Sequence, residues 1–253
     1  FAKDLISVYN PKSNKFREEY DYPTMEVYSD QKFYGEFYDS FRKIKVNSFQ
    51  YAEGKFGEIT QIERLFNQIY MLQRNAFGRI RFRDRQMVDS QQGNFAVGSG
   101  TGFDGHEYIS TTFGTQHQWA VCNNGRSIWF PDAEKGKLIR FSQAGLDLIS
   151  DKAGMHQYFT EKLRKYWKIK DLSAGQILAI SDEYANYDNP CNIGGITSVW
   201  DAKNNSIFLT FTNIKEAAAG NIITEVTGLK ETIEFNETDD TFKSFYSFTP
   251  RLF

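Results

Sequence analysis

The chain has 253 residues, 30 basic and 32 acidic, for a formal net charge of −2, so no global positive field marks it as a nucleic-acid binder. Aromatic residues make up 16% of it, a level that favours packed sheet over disorder or a helical bundle. No apolar run is long enough to cross a bilayer as a lone helix, and the length suits one all-β domain or two smaller ones.

The chain starts Phe1-Ala2-Lys3-Asp4 without an initiator Met or signal-peptide character, as expected of a processed product or of a fragment of a longer polypeptide. Residues 1–53 read as a β-rich, turn-rich segment that begins mid-domain. Asn10-Pro11-Lys12-Ser13-Asn14 and Tyr20-Asp21-Tyr22-Pro23 interrupt short alternating runs such as Lys32 to Tyr38. A clearer unit follows: runs at Gly57 to Ile62, Leu65 to Gln73 and Gly78 to Phe82, with a turn-like Arg74-Asn75 step, predict three strands of one small sheet. Ser90 to Gly105 is dense in Gly and small polar residues and reads as a shaped loop between repeats.

A second unit is predicted from His106-Glu107-Tyr108-Ile109 onward. It takes in Gln118 to Cys122, a turn at Asn123-Asn124-Gly125, a strand ending at Phe130, a turn at Asp132 to Gly136 and a strand Lys137 to Phe141. The Asn-Gly step is a strong hairpin signal because both residues tolerate the required backbone. Met155 to Trp167 then places Tyr158, Phe159, Leu163, Tyr166 and Trp167 near one face at helical spacing, so this aromatic face is expected to dock on the sheets or on a neighbouring subunit. After a turn at Asn186 to Pro190, Ser198 to Trp200 pairs with Ile207 to Phe211 across Asp201 to Asn205. Lys230 to Phe235 pairs with Thr241 to Phe248 across Asn236 to Asp240. The rhythm predicts an all-β fold of repeated antiparallel blades, a β-propeller or a piece of one. On this reading residues 54–253 form about three blades with a helical insertion near 151–190.

Candidate chemistry is sparse. Asp104 with Glu107, or Asp182 with Glu183, could serve as a carboxylate pair, but their spacing is not diagnostic and turn hydrogen bonding explains such aspartates equally well. His106, His117 and His156 occur at no metal-ligand spacing, Asp201 to Asn205 lacks the length and closing Glu of a calcium loop, and Gly98 to Gly102 has no fitting strand, helix and acidic residue for a dinucleotide site. Cys122 and Cys191 read as free, partly buried thiols. No cofactor or catalytic residue is expected. In Arg79-Ile80-Arg81-Phe82-Arg83, alternation sends the arginines to one sheet face. With Arg85, Lys43 and Lys45 they form candidate DNA-channel or inter-subunit contacts, against a salt-bridged surface as the alternative.

Tyr108-Ile109-Ser110-Thr111-Thr112-Phe113-Gly114-Thr115-Gln116-His117-Gln118-Trp119-Ala120-Val121, then Ile128 to Asp132, Ile139 to Phe141 and Ile149 to Phe159, resemble the tail muzzle or nozzle-like proteins of crAss-like podoviruses. Glu234 to Glu237 and Phe242 to Pro250 are similar to another recurring part of that family, and the resemblance runs from about Gly54 to Pro250. It implies a segment of a much longer virion protein at the distal end of a short tail. Such a protein is built partly of β-propeller, assembles around the tail axis with other segments or copies of itself and other tail proteins, and helps retain or route the genome as DNA passes. The rival reading is a carbohydrate-binding propeller in which Tyr108, Trp119, Trp129 or Trp200 stacks on sugar rings, with the tryptophans' strand-like settings favouring core instead.

Overall fold

A computed structural model of the chain describes residues 21–30, 35, 37, 39–82, 86–90, 93–97, 102–167, 195–212, 215–218, 222–225 and 231–248. In chain order, β1 (Met25–Val27) pairs with β2 (Phe49–Tyr51). A first four-stranded sheet is built from β3 (Ile59–Leu65), β4 (Gln68–Gln73), β5 (Phe77–Phe82) and, after a separate hairpin of β6 (Gln86–Ser90) and β7 (Gly93–Val97), β8 (Phe103–Ser110). The second sheet holds β9 (Cys122–Asn123), β10 (Ile128–Asp132), β11 (Lys137–Ser142) and β12 (Gly145–Leu148), and leads into α1 (Ile149–Lys152) and α2 (His156–Trp167). The third holds β13 (Ile196–Asp201), β14 (Ser206–Phe211), β17 (Glu231–Asn236) and β18 (Thr241–Tyr246), with the hairpin β15 (Lys215–Ala218) and β16 (Ile222–Glu225) inserted after β14. Every pairing within these sheets is antiparallel.

The second sheet is the middle of a three-layer stack, and its sequence explains why. Ile128-Trp129-Phe130-Pro131-Asp132 is buried at every position, as a strand covered on both faces requires. Alternation sends Ile128 and Phe130, with Ile139 and Phe141 of β11, against Leu65, Tyr70, Leu72 and Phe77 of the first sheet. Trp129, with Cys122 and Leu138, faces the other way, onto Ile207, Leu209, Phe211, Ile233 and Phe235 of the third sheet. The helix docks on that second core through Phe159 and Leu163, both wholly buried. At its rim the Tyr158 hydroxyl donates to Glu231 Oε1 at 2.6 Å.

Three hairpins share one turn design. Asp132 pairs with Lys137, Asp201 with Ser206 and Asn236 with Thr241, leaving four-residue loops. The last loop residue is left-handed in each: Gly136 at φ 66°, Asn205 at 51° and Asp240 at 53°. The first paired side chain closes the loop, since Asp132, Asp201 and Asn236 each accept, through Oδ1, from the N–H of Lys135, Lys203 and Thr238, all at 2.9 Å. Asn and Asp suffice at the exposed positions 205 and 240. Position 136 admits only glycine, because a Cβ there would lie 2.7 Å from Thr160 Cα in the helix.

The propeller expected from the sequence does not form: among the described residues the sheets stack as open layers and none closes into a barrel or propeller. Asx-closed turns and short alternating strands specify antiparallel hairpins, which open stacks and closed rings have in common. Closure depends on whether the first and last layers meet, and no local pattern encodes that. Three further readings also differ. The run Leu65 to Gln73 contains the β3–β4 turn, where Phe66 and Asn67 take φ values of 51° and 60°, the two-residue geometry that matches strand twist. The His106 to Ile109 run pairs with β5 as the last strand of the first sheet rather than opening the second. Much of the predicted glycine-rich loop is strand, in β7 and at the start of β8.

Candidate interaction surfaces and the seams between layers

On β5, Arg79 stands opposite Tyr70 on one side and Glu107 on the other. It forms an ion pair with Glu107. Arg81 is exposed and its Nη2 donates to the Asp104 carbonyl at 3.2 Å. Ile80, between them, is buried on the opposite face with Ala52 and Met71, while Phe82 packs on Phe103 at 5.2 Å between ring centres. Arg83 and Arg85 lie outside the described residues. Lys45 Nζ pairs with Asp30 Oδ1 at 2.8 Å, and the Lys43 carbonyl accepts from the Asp30 N–H at 3.0 Å.

The other residues singled out in the sequence are divided among separate places. His106 Nε2 lies 2.9 Å from Glu26 Oε2 in a buried contact that ties β1 to β8, with Gln50 Nε2 2.8 Å from the same oxygen. His117 is buried beside Gln116. His156 Nδ1 sits 2.9 Å from Asp151 Oδ1, which also accepts from Lys137 Nζ at 2.6 Å. Among the described residues no three ligating side chains gather. Burial pushes the Cys122 thiol up to about 12, which keeps it protonated and inert as a nucleophile. Asp182, Glu183, Cys191 and the Gly98 to Thr101 stretch are outside the described residues, as are the side chains of Tyr166 and Trp167.

Of the aromatics weighed as sugar platforms, Trp129 is core and donates through Nε1 to Ser127 Oγ at 2.9 Å. Trp200 packs partly buried on the same core. The Tyr108 hydroxyl donates to Gln73 Oε1 and accepts from the Glu53 N–H, both at 3.0 Å. Trp119 departs from its expected strand setting: it occupies a 3-10 turn, Gln118–Ala120, and is 46% exposed.

What the sequence did not announce is a pair of polar seams that lock the layers. The last residue of β9 and the first of the β9–β10 connection reach in opposite directions. Asn123 Nδ2 donates to Glu63 Oε2 at 3.1 Å and to the Arg64 carbonyl at 2.8 Å in the first sheet. Asn124 Nδ2 donates to Glu237 Oε2 at 2.9 Å in the third sheet's last turn, where Glu237 Oε1 also accepts from Ser127 Oγ at 2.8 Å. Arg140 adds a second bridge, binding Asp147 within its own sheet at 3.1 Å and Asp240 of the third at 3.2 Å. Hydrogen bonds that satisfy both partners at a partly buried seam fix register between packed sheets that apolar contact alone would leave free to slide.

Asp132 is a further buried polar group at the layer boundary, 3% exposed. Its Oδ2 accepts from the Gly114 N–H at 3.3 Å while Oδ1 closes its own turn. Burial pushes its carboxyl from 3.8 up to about 6, against the two backbone donors that favour the charged form. A raised folded-state value means that this group adds stability below its unfolded value, and that the contribution is lost as pH rises through about 6. The full effect is about 3 kcal/mol. Asp147, held low chiefly by Lys152, stays ionised across this window and titrates below it. Urea unfolding between about pH 4 and 7 is therefore expected to show stability falling with rising pH in the wild type and a flatter profile in Asp132→Asn. Parallel profiles in the two proteins would remove Asp132 as the cause.

The described polar side chains are thus spent on closing turns and clasping layers, and the aromatics chiefly on the two cores between them. The class so defined is a layered, antiparallel β protein. The match to the Crassvirus muzzle protein family spans residues 2–253, and the chain belongs to that family. It is 24% identical over 191 residues to the muzzle protein of Bacteroides phage crAss001, an alignment covering 75% of this chain and 12% of that protein. The aligned region is therefore a small part of that relative's length.

Proposed function

We propose that this chain is a structural segment of a phage tail, built into the muzzle at its distal end and forming part of the wall of the channel that retains and routes the genome. The observation that carries this reading is the family match across residues 2–253. The fold suits a wall element, since a middle layer packed on both faces and pinned by two seams resists deformation, and copies set around a rotational axis would build a collar. The arginines of β5 are the proposed DNA-channel or inter-subunit contacts. Because Arg79 is neutralised by Glu107, Arg81 carries the described, exposed part of that charge. The proposed packing of the helix against a neighbour falls to its rim, since Phe159 and Leu163 are consumed internally. There Tyr158 meets Phe245, which is 56% exposed.

Reconstruction of intact particles by cryo-EM tests this directly. Density for the three stacked sheets is expected in a ring around the distal tail channel, in contact with other parts of the tail. Density on a peripheral spike, or none in the particle, would overturn the assignment and make a glycan screen centred on Trp119 the next experiment.

A further inference from the structure

Asn124-Gly125 is the single Asn-Gly step in the chain, and it forms one of the two seams. In such a step the glycine amide nitrogen can attack the asparagine side-chain carbon. A bond forms between Gly125 N and Asn124 Cγ, the Cγ–Nδ2 bond breaks, and ammonia leaves with the proton from the attacking nitrogen. Water then opens the resulting succinimide to aspartate or isoaspartate. Glycine permits this because no side chain shields its nitrogen. Gly125 is exposed and Asn124 half-buried, so water has access to the step.

The turn holds both reacting groups. Asn124 Oδ1 accepts from the N–H groups of Arg126 and Ser127 at 2.9 and 2.7 Å, and Nδ2, the leaving group, donates to Glu237. The Gly125 N–H is engaged by Asn123 Oδ1 at 2.8 Å. Rotation of the amide onto Gly125 N has first to break these bonds. The consequence of conversion is set by what Asn124 faces. Its Nδ2 is 2.9 Å from a Glu237 carboxylate oxygen, so the product replaces a donor with a second carboxylate against the first.

We propose that Asn124 is a site of spontaneous deamidation, restrained by the seam it builds, and that its conversion to aspartate or isoaspartate breaks this polar tie between the middle sheet and the third and weakens their packing. Either product puts like charges in contact across the seam, and isoaspartate also lengthens the backbone within the β9–β10 turn.

The test follows the 253-residue chain at mildly alkaline pH by peptide mapping and mass spectrometry. Asn124 is expected to convert about tenfold more slowly in the native protein than in the denatured chain, the factor expected of a hydrogen bond to a charged acceptor. Glu237→Ala, which frees the leaving amide, should raise the native rate. Separately, Asn124→Asp keeps the turn's acceptor oxygen and is expected to lower the Tm, while Glu237→Gln on that background restores a donor and recovers most of the loss, a coupling that independent sites would not show. A native rate unchanged by Glu237→Ala, or an Asn124→Asp protein as stable as the wild type, would overturn the proposal.

Discussion

Replacing Gly114 with alanine is expected to destabilise the protein by about 3 kcal/mol or more, near the upper end of what overpacking costs. A Cβ at this position would fall 2.2 Å from the Gln73 carbonyl oxygen, 2.6 Å from the Ala76 nitrogen and 2.6 Å from the Arg74 carbonyl oxygen. All three are backbone atoms at the end of β4 or in the β4–β5 turn, so no flexible side chain can yield. The segment is also held in place from both sides, because the Thr115 N–H donates to that same Gln73 carbonyl at 3.0 Å and Gly114 is clipped by Asp132. Relief would require moving the crossing segment off the first sheet and breaking its link to the second. Urea unfolding with an unchanged slope and a lower midpoint is the expected signature, and an alanine variant within about 0.5 kcal/mol of the wild type would show that this close crossing does not hold.

Trp129→Ala is expected to cost about 3–5 kcal/mol, the range for emptying a large aromatic site in a core. The indole is 1% exposed, lies 5.2 Å from the Phe235 ring and has the Arg140 guanidinium over its face at 5.4 Å. Truncation would open a cavity between the second and third sheets and leave Ser127 without the donor it accepts. Trp129→Phe separates the two effects: most of the apolar contact survives and the expected loss falls to about 1 kcal/mol, that of one hydrogen bond. Thermal unfolding followed by near-UV circular dichroism reads both. Equal losses in the two variants would mean that the indole N–H, rather than the volume, sets the stability of this interface.

The hairpins were legible where their turns carry a polar code. Asp132 to Gly136, Asp201 to Asn205 and Asn236 to Asp240 all stand where the sequence puts them, because an Asx side chain and a residue tolerant of positive φ are local requirements. The β3–β4 turn was hidden because a phenylalanine holds one of its left-handed positions, with only Asn67 to hint at it. The stacking of layers was partly encoded in the continuous apolar run from Ile128 to Pro131, a mark of a strand covered twice, but its open form was not. Trp119 misled because a tryptophan in a short apolar run resembles core until the 3-10 turn rotates it outward. The seams were least accessible of all. Glu237 meets Asn124 across 113 positions, and neither residue differs in kind from any other polar turn residue. Asp132 did leave a trace, as the one acid closing an otherwise apolar strand.

Because Asn123 and Asn124 are chain neighbours that grip different sheets, part of any load applied to the first sheet is handed to the third across a single peptide bond. Peeling either outer sheet away must also tug the connection that secures the other. Strength against shear in such an arrangement does not add up sheet by sheet: the bend couples the two seams, so that loosening one weakens the other, while the Arg140 bridge and the two apolar cores carry the rest of the load.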